Sequence, residues 1–262
     1  MNPFSTEQKS TLRALSQLWQ DTPFCLVGAT ALGCHLDRQW RRTEDLDICV
    51  SVSVDENPAG LVSLPGWSNP NEHEWVAPTG VRVDIIPAGP EVLRSGAIRW
   101  PKSGREMNLT GFRLVFEQSV RFEVEPDVVI SVASLAVIAL LKIVAYLDRP
   151  WERERDLEDL AHILEGYAPA DDPRRWDSDL LDRAINFDRA SAFLLGRDLA
   201  AMVDQGERLC IERFLAAVDD DRDPAQSAAR MLRVGPRRWR QDPNAQTEVI
   251  RIFGAGFQLL RG

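Results

Sequence analysis

The sequence predicts a protein of the α+β class, with strands and helices mixed in the N-terminal half and helices alone in the C-terminal half. Short apolar runs, several of them rich in Val and Ile and bounded by Gly, Pro or Asn, recur as far as residue 127 and predict strands. From residue 131 onward, apolar residues recur at helical spacing almost to the end of the chain. We therefore expect two domains, residues 1–127 and 128–262.

Local signals define the N-terminal elements. The first helical pattern ends at Thr22-Pro23, and a second helix opens at Gly28 after a short apolar run. The segment Pro78-Thr79-Gly80 lies between two apolar runs and has the composition of a hairpin turn. We accordingly predict helices over residues 5–19 and 29–36, and strands over residues 24–27, 46–54, 74–77, 81–86, 112–116 and 121–124.

Residues 128–147 are almost entirely apolar and about as long as a membrane-spanning helix. Lys142 lies inside this run, however, and a lysine in hydrocarbon costs about 3 kcal/mol or more. We therefore predict a helix buried within the protein and no membrane association. Further helices are predicted over residues 151–164, 178–185, 189–203, 209–218, 224–232 and 246–260.

Composition and charge exclude several classes of protein. Of the 262 residues 44% are hydrophobic and 27% charged, which excludes a collagen-like, low-complexity or largely disordered chain. The net charge of −9 argues against a protein that coats DNA, although a local basic groove remains compatible with it. The four cysteines form no CxxC pair and the N-terminal residues contain no apolar signal segment, so we expect a cytoplasmic protein.

A glycine turn after the first predicted strand is a candidate for chemistry. Residues 26–32 read LVGATAL, so a strand ends at Gly28 and a helix begins, which brings backbone N–H groups to a place suited to phosphate. Asp45 and Asp47 follow one residue apart at the start of the next strand, where a period of two places both on one face. Two adjacent carboxylates repel unless a cation lies between them, and Mg²⁺ prefers such oxygen ligands.

Asp84 adds a third carboxylate in the strand pattern VRVDII. Val83 and Ile85 share one face of that strand, and Asp84 lies on the other. If this strand lies beside the Asp45–Asp47 strand, three carboxylates converge, which is the arrangement that two-metal phosphoryl transfer requires. The alternative is that the acids are merely charged strand ends.

These residues together resemble a known signature. Gly28-Ala29, Asp45-x-Asp47 and Asp84 resemble the pattern hG[G/S]…[D/E]h[D/E]h…h[D/E]h of the nucleotidyltransferase (polymerase β-like) superfamily. The sequence LVGATALG…RTEDLDI resembles a motif of the AbiEii/AbiGii toxin family in particular. Lys142 followed by RDLEDL resembles a later motif of the same family. The resemblance spans about residues 24–164.

The resemblance implies a nucleotidyltransferase (polymerase β-like) fold, with a mixed sheet flanked by helices and a helical domain that completes the nucleotide cleft. It implies transfer of NMP from an NTP to an acceptor hydroxyl, with Asp45, Asp47 and Asp84 binding two Mg²⁺ ions. It further implies tRNA as the acceptor, a cognate antitoxin as a partner, and a role as the toxin of a toxin–antitoxin or phage-defence system.

Other functions remain open at this point. The same site could modify a small molecule or a protein hydroxyl, or the fold could persist as an inactive module that binds a nucleotide or a partner. Ala29 favours the inactive module, because it replaces the second glycine or serine of the family pattern. Its backbone N–H persists, but a serine hydroxyl contact to phosphate is lost.

The nucleotide phosphates need basic partners. Only three of the 31 basic residues are lysines, and Lys142 lies in the most apolar predicted helix, where a buried lysine needs a partner. Lys142 and Arg149 are seven residues apart and share a helical face, which Arg153 extends. We expect these three residues and the turn of Gly28, Ala29 and Thr30 to bind the triphosphate.

Ion pairing offers a second interpretation of the same helix. Lys142 could instead reach the surface or pair with Asp156 or Glu152, and we assign Asp156 to positioning Lys142 or Arg153. Two further segments, RRW at residues 174–176 and PRRWR at residues 236–240, mix cations with an aromatic ring. They could contact RNA, although such clusters more often pack at the surface or between helices.

Overall fold

The computed structural model describes residues 2–37, 43–54, 60–219 and 228–259, and it confirms the predicted α+β class. The chain forms two compact units, Met1–Ile138 and Ala139–Gly262, each described here by itself. No helix within the described ranges is both long and apolar enough to cross a membrane.

The first unit contains a mixed sheet and short helices. Its strands are β1 (Phe24–Val27), β2 (Leu46–Val50), β3 (Glu74–Val76), β4 (Arg82–Pro87), β5 (Ala97–Arg99), β6 (Glu106–Asn108), β7 (Ser119–Glu125) and β8 (Val128–Ala133). Its helices are α1 (Thr6–Leu18), α2 (Gly28–Gly33), α3 (Pro90–Ser95) and α4 (Phe112–Glu117), and α5 (Leu135–Asp148) begins in it.

Six strands form the main sheet in the order β3-β4-β2-β1-β8-β7. β1 runs antiparallel to β2 but parallel to β8, and β2 runs parallel to β4, so the sheet is mixed. The antiparallel register pairs Val27 with Asp47. The carboxyl end of β1 and the amino end of β2 therefore meet at one edge of the sheet, together with the amino end of β4.

Two segments differ from the sequence prediction. Residues 128–147 do not form one helix: Val128–Ala133 is a strand between β1 and β7, and the helix begins only at Leu135. The β-branched residues of VVISVA favour a strand, and the run of apolar residues hid the boundary. Residues 112–116, predicted as a strand, belong to α4, because Gly111 in the left-handed region opens a helical turn there.

The second unit contains helices and no strands within its described residues. It contains the end of α5 and then α6 (Glu154–Gly166), α7 (Ser178–Leu181), α8 (Ala190–Met202), α9 (Gln205–Asp219), α10 (Ala228–Val234), α11 (Arg237–Gln241) and α12 (Pro243–Gln258). The helix predicted over residues 178–185 is confined to α7. Of the helix predicted over residues 224–232, residues 224–227 lie outside the described ranges, as does residue 260 of the last predicted helix.

The core of the second unit depends on a close crossing between α8 and α12. A Cβ atom added to Gly196 would lie 2.7 Å from the backbone N of Phe257 and would overlap with the carbonyl oxygen of Phe253. A Cβ atom added to Gly256 would likewise overlap with the carbonyl oxygen of Phe193. The two helix backbones therefore touch directly, and the three phenylalanines are fully buried beside them.

Candidate functional site

Three acidic side chains lie at the edge of the sheet where β1 ends. The parallel register of β2 and β4 pairs Asp47 directly with Asp84, so the predicted neighbouring of these two strands is confirmed. Residues paired in register point to the same face of a sheet, and Asp45 lies two residues before Asp47 along the chain. Asp47 and Asp84 are partly buried, and Asp45 is exposed.

Gly28 lies against the carboxylate of Asp47. Its φ is 70°, in the left-handed region, and α2 begins at this residue. A Cβ atom on Gly28 would lie 2.7 Å from Cγ of Asp47 and would overlap with Oδ2. The position therefore excludes a side chain for two separate reasons, its backbone conformation and its contact with Asp47.

Backbone anchors hold the start of β2. The hydroxyl of Thr30 donates a hydrogen bond of 2.6 Å to the carbonyl of Asp45, and Thr30 is buried. Nε2 of Gln8 donates to the carbonyl of Glu44 at 3.2 Å, from the first turn of α1. The sequence assigned Thr30 to the phosphates and gave Gln8 no role, because no local signal reports a contact between residues 36 positions apart.

Glu74 is a fourth carboxylate that the sequence analysis missed. The antiparallel register of β3 and β4 pairs it with Asp84, and Nε of Arg82 lies 3.8 Å from its Oε1. The hairpin turn Pro78-Thr79-Gly80 fixes this register, so counting back from the turn would have found it. Glu74, Asp84 and Asp47 thus form a row across three neighbouring strands.

Burial and neighbouring acids raise the proton affinity of Asp84. Burial is the largest cause, followed by the negative charges of Glu74 and Asp45, and together they raise the pKa of Asp84 to about 6. The nearby guanidinium of Arg82 opposes this shift without cancelling it. The negative charge of this edge is therefore only partly compensated by the protein itself.

The acidic edge fits Mg²⁺ in its chemistry. Within the described residues, no group of three His, Cys, Asp or Glu side chains is already drawn together as a metal-ligand cluster. The donors of Asp45, Asp47 and Asp84 are nonetheless all carboxylate oxygens, which Mg²⁺ prefers. The negative charges of Glu74 and Asp45, which contribute to the raised pKa of Asp84, would favour a cation there.

Lys142 lies in the second unit and is ion-paired there. Its Nζ lies 2.8 Å from a carboxylate oxygen of Asp156 and 2.8 Å from one of Asp159, and the residue is 6% exposed. Burial alone would lower the pKa of Lys142, but the two carboxylates outweigh it and the pKa is raised. The contact with Asp156 that the sequence left open is confirmed, and Asp159 is a second partner that it missed. The i,i+3 spacing in DLEDL was the available signal.

The predicted phosphate-binding arginines are exposed. The side chain of Arg149 is 42% exposed and lies 3.8 Å from Glu152, and that of Arg153 is 49% exposed and lies 3.9 Å from Asp156. Lys142 is buried between two carboxylates, so the structure does not bring all three cations to the same surface. Their assignment to nucleotide phosphates stays a prediction.

Each of the two segments considered for RNA contact contains one residue that is buried and bonded within the protein. Arg175 is buried and donates to the carbonyls of Pro169, Phe187 and Ala168. Trp239 is fully buried and its indole N–H donates to Glu165. Arg175 and Trp239 are therefore committed to internal packing and are not available to RNA, whereas Trp176 of the first segment is exposed.

Comparison with known proteins places the chain among nucleotidyltransferases. A family model described as a nucleotidyl transferase AbiEii toxin of a type IV toxin–antitoxin system matches residues 10–242. No curated protein matches the chain.

Two solved structures are similar to it in fold. An antigenic nucleotidyltransferase-like protein from Paracoccidioides brasiliensis is 16% identical, with a TM-score of 0.43, covering 69% of this chain and 86% of its own. The antibiotic-resistance factor ANT(2'')-Ia is 13% identical, with a TM-score of 0.40, covering 82% of this chain and 97% of its own.

Proposed function

The chain belongs to the AbiEii nucleotidyl transferase toxin family, and from this membership we propose that it transfers NMP from an NTP to a hydroxyl of RNA, with tRNA as the acceptor. In this proposal it is the toxin of a toxin–antitoxin pair with a cognate antitoxin, and it acts in phage defence. The reaction depends on Mg²⁺.

The observation that carries this proposal is the contact of Gly28 with Asp47 beside Asp84. The register places two carboxylates side by side, and the glycine turn lets the first strand end against one of them. A carboxylate pair beside a turn that opens a helix combines metal ligands with a phosphate-binding backbone, which is what nucleotidyl transfer needs.

Asp45, Asp47 and Asp84 are the residues that would hold Mg²⁺. When bound there, the ion supplies positive charge to the triphosphate and lowers the pKa of the acceptor hydroxyl. The chain itself fixes the carboxylates: Thr30 holds the backbone of Asp45 through its carbonyl, and the strand register holds Asp47 next to Asp84. Preorganised groups of this kind stabilise a transition state without rearranging during the reaction.

Basic side chains and the glycine turn bind the rest of the nucleotide in this proposal. The turn of Gly28, Ala29 and Thr30 lies against the β- and γ-phosphates, and Arg149 and Arg153 pair with the phosphate oxygens. The ion pair with Asp156 fixes the position of the Lys142 ammonium group, which contributes positive charge to the nucleotide phosphates in this proposal. Arginine suits the exposed positions because its planar guanidinium binds phosphate oxygens in pairs.

A labelling assay tests the proposal. The protein is incubated with each α-³²P-labelled NTP, Mg²⁺ and total tRNA, next to Asp47→Asn and to Glu91→Gln, which changes an acid that is exposed on α3. We expect label on RNA with the wild type and Glu91→Gln and none with Asp47→Asn or with EDTA.

The other outcomes identify the alternatives. Label on the protein, or on an added small molecule with a free hydroxyl but not on RNA, would replace RNA by another acceptor. The absence of label from every acceptor, together with Mg²⁺-dependent NTP binding, would identify an inactive nucleotide-binding module. Growth arrest on expression that Asp47→Asn abolishes would support the toxin role.

A further inference from the structure

Trp151 is an exposed aromatic residue that the packing of the second unit does not use. It lies in the connection between α5 and α6 and is 70% exposed, whereas Trp239 in the same unit is fully buried. The large apolar face of an indole gains free energy when it is covered. An indole that remains uncovered offers a flat surface of the kind on which another ring can stack.

One basic side chain lies over this indole, and a second follows on the same helix. The guanidinium carbon of Arg230 lies 5.2 Å from the centre of the Trp151 ring, and its Nη1 has no hydrogen-bond partner in the described part of the chain. Arg233, one turn later on α10, is 66% exposed and contacts Glu154. A guanidinium over one face of an indole holds the ring in place through a cation–π interaction.

Arg149 and Arg153 flank Trp151 along the chain. Their contacts with acids are long, at 3.8 and 3.9 Å, and both side chains are more than two-fifths exposed. Such exposed pairs contribute little to stability and are easily replaced by a stronger anion. We refer to Arg149, Trp151, Arg153, Arg230 and Arg233 as the Trp151 surface.

The other tryptophan that is strongly exposed among the described residues, Trp176, has a different environment. Trp176 is also exposed, at 64%, but its ring stacks on Phe187 at 5.3 Å between centres. Its neighbour Arg174 is paired with Asp172 and Asp198 at 2.7 Å each. Trp176 therefore differs from Trp151, because another ring packs against it and its neighbouring arginine is firmly paired, and it serves as a matched control.

We propose that the Trp151 surface binds the acceptor RNA, with one unpaired base stacked on the indole of Trp151 and the adjoining phosphates paired with arginine. This inference rests on the proposed function, since it names where the RNA binds. Single-stranded RNA fits because its bases stack on aromatic rings and its phosphates pair with guanidinium groups. Arg149 and Arg153 are assigned to the triphosphate in the proposed function, so Arg230 and Arg233 are the arginines that pair with the RNA phosphates.

Fluorescence anisotropy with a fluorescein-labelled single-stranded RNA of about 12 nucleotides tests the inference, in Mg²⁺ and without NTP. We expect Trp151→Ala to raise Kd by about fivefold or more, and Trp151→Phe to retain most of the affinity, because a phenyl ring still stacks. Trp176→Ala should leave Kd unchanged. Arg230→Gln should raise Kd and reduce the dependence of log Kd on log salt by about one unit. Equal melting temperatures would show that each variant is folded.

The result separates this inference from the proposed function. If the wild type labels RNA but Trp151→Ala binds and labels it equally well, the Trp151 surface is not the RNA site and the proposed function stands. If the wild type binds RNA through Trp151 but labels none, the surface stands and the proposed transfer fails. If Trp151→Ala abolishes binding of a protein partner and leaves RNA binding intact, the surface belongs to that partner and the inference is overturned.

Discussion

Replacing Gly28 by alanine tests whether the contact of this glycine with Asp47 fixes the position of the carboxylates that we propose bind Mg²⁺. The left-handed φ of 70° costs an L-residue about 1–2 kcal/mol. The added Cβ would also overlap with Oδ2 of Asp47, which must rotate away from the turn. We expect the free energy of unfolding to fall by about 2 kcal/mol or more from the two effects together. We expect the rate of NMP transfer to fall by about a hundredfold, because a displacement of about 1 Å is enough for such a loss.

Gly80→Ala separates the two effects. Gly80 has a φ of 83° and nothing within 4 Å of its added Cβ, so this variant carries the backbone strain without the contact. It should lose about 1 kcal/mol in urea unfolding and keep its transfer rate. In an Asp47→Ala background, the stability cost of Gly28→Ala should fall towards that of Gly80→Ala. Equal stability losses for the two glycine variants in the wild-type background, or full transfer activity of Gly28→Ala, would refute the reasoning.

Three further predictions concern groups described above. Thr30→Val should lose about 1 kcal/mol of stability and part of the transfer rate, because the carbonyl of Asp45 loses its hydrogen-bond donor. Thr30→Ser keeps the hydroxyl and should retain both the stability in urea unfolding and the rate of labelling. Equal losses for the two variants would contradict this. Lys142→Met should lower the free energy of unfolding in urea by about 3–5 kcal/mol, because it leaves buried carboxylates without a cation. Adding Asp159→Asn should recover part of that loss. A loss below about 1 kcal/mol would show that the ion pair is dispensable. Burial lowers the pKa of His162 to about 4 from 6.5; Asp159 opposes this shift and Arg240 adds to it. The stability that depends on a neutral His162 is therefore complete above pH 6.5 and is lost as pH falls towards 4. His162→Gln should reduce the loss of stability between those pH values by about 1–2 kcal/mol, after allowance for partial exposure of the ring; unchanged pH curves would contradict it.

The carboxylate row shows how far sequence reasoning reaches. Asp47 and Asp84 could be predicted to lie on the same face if their strands were neighbours, because side chains alternate between the two faces along a strand. The structure shows that the two strands are neighbours in the sheet. Glu74 was within reach of the same reasoning, since the turn at residues 78–80 determines its register with Asp84. The contact of Gln8 with the carbonyl of Glu44 was out of reach, because it depends on how α1 packs against the sheet.

The apolar run at residues 128–147 shows where the pattern fails. A short apolar run occurs both in strands and in buried helices, so periodicity alone does not separate them. Only β-branched content and the polar Ser134 mark the change from β8 to α5. Lys142 shows a related limit. Its buried charge indicated that an acidic partner was needed, but only the packing of α6 against α5 shows that both Asp156 and Asp159 are partners.

The crossing of α8 and α12 has a consequence for how this unit tolerates sequence change. Most buried contacts can be repacked by a compensating side chain, since one side chain can shrink where another grows. At Gly196 and Gly256 the neighbouring atoms are backbone, and no substitution elsewhere removes a backbone carbonyl. In a saturation library selected for folding, these two positions should therefore return glycine alone, while the phenylalanines around them exchange with other large apolar residues. Contacts between main-chain atoms set the spacing of the two helices, so no second substitution can relieve the overlap that a side chain at either glycine would cause.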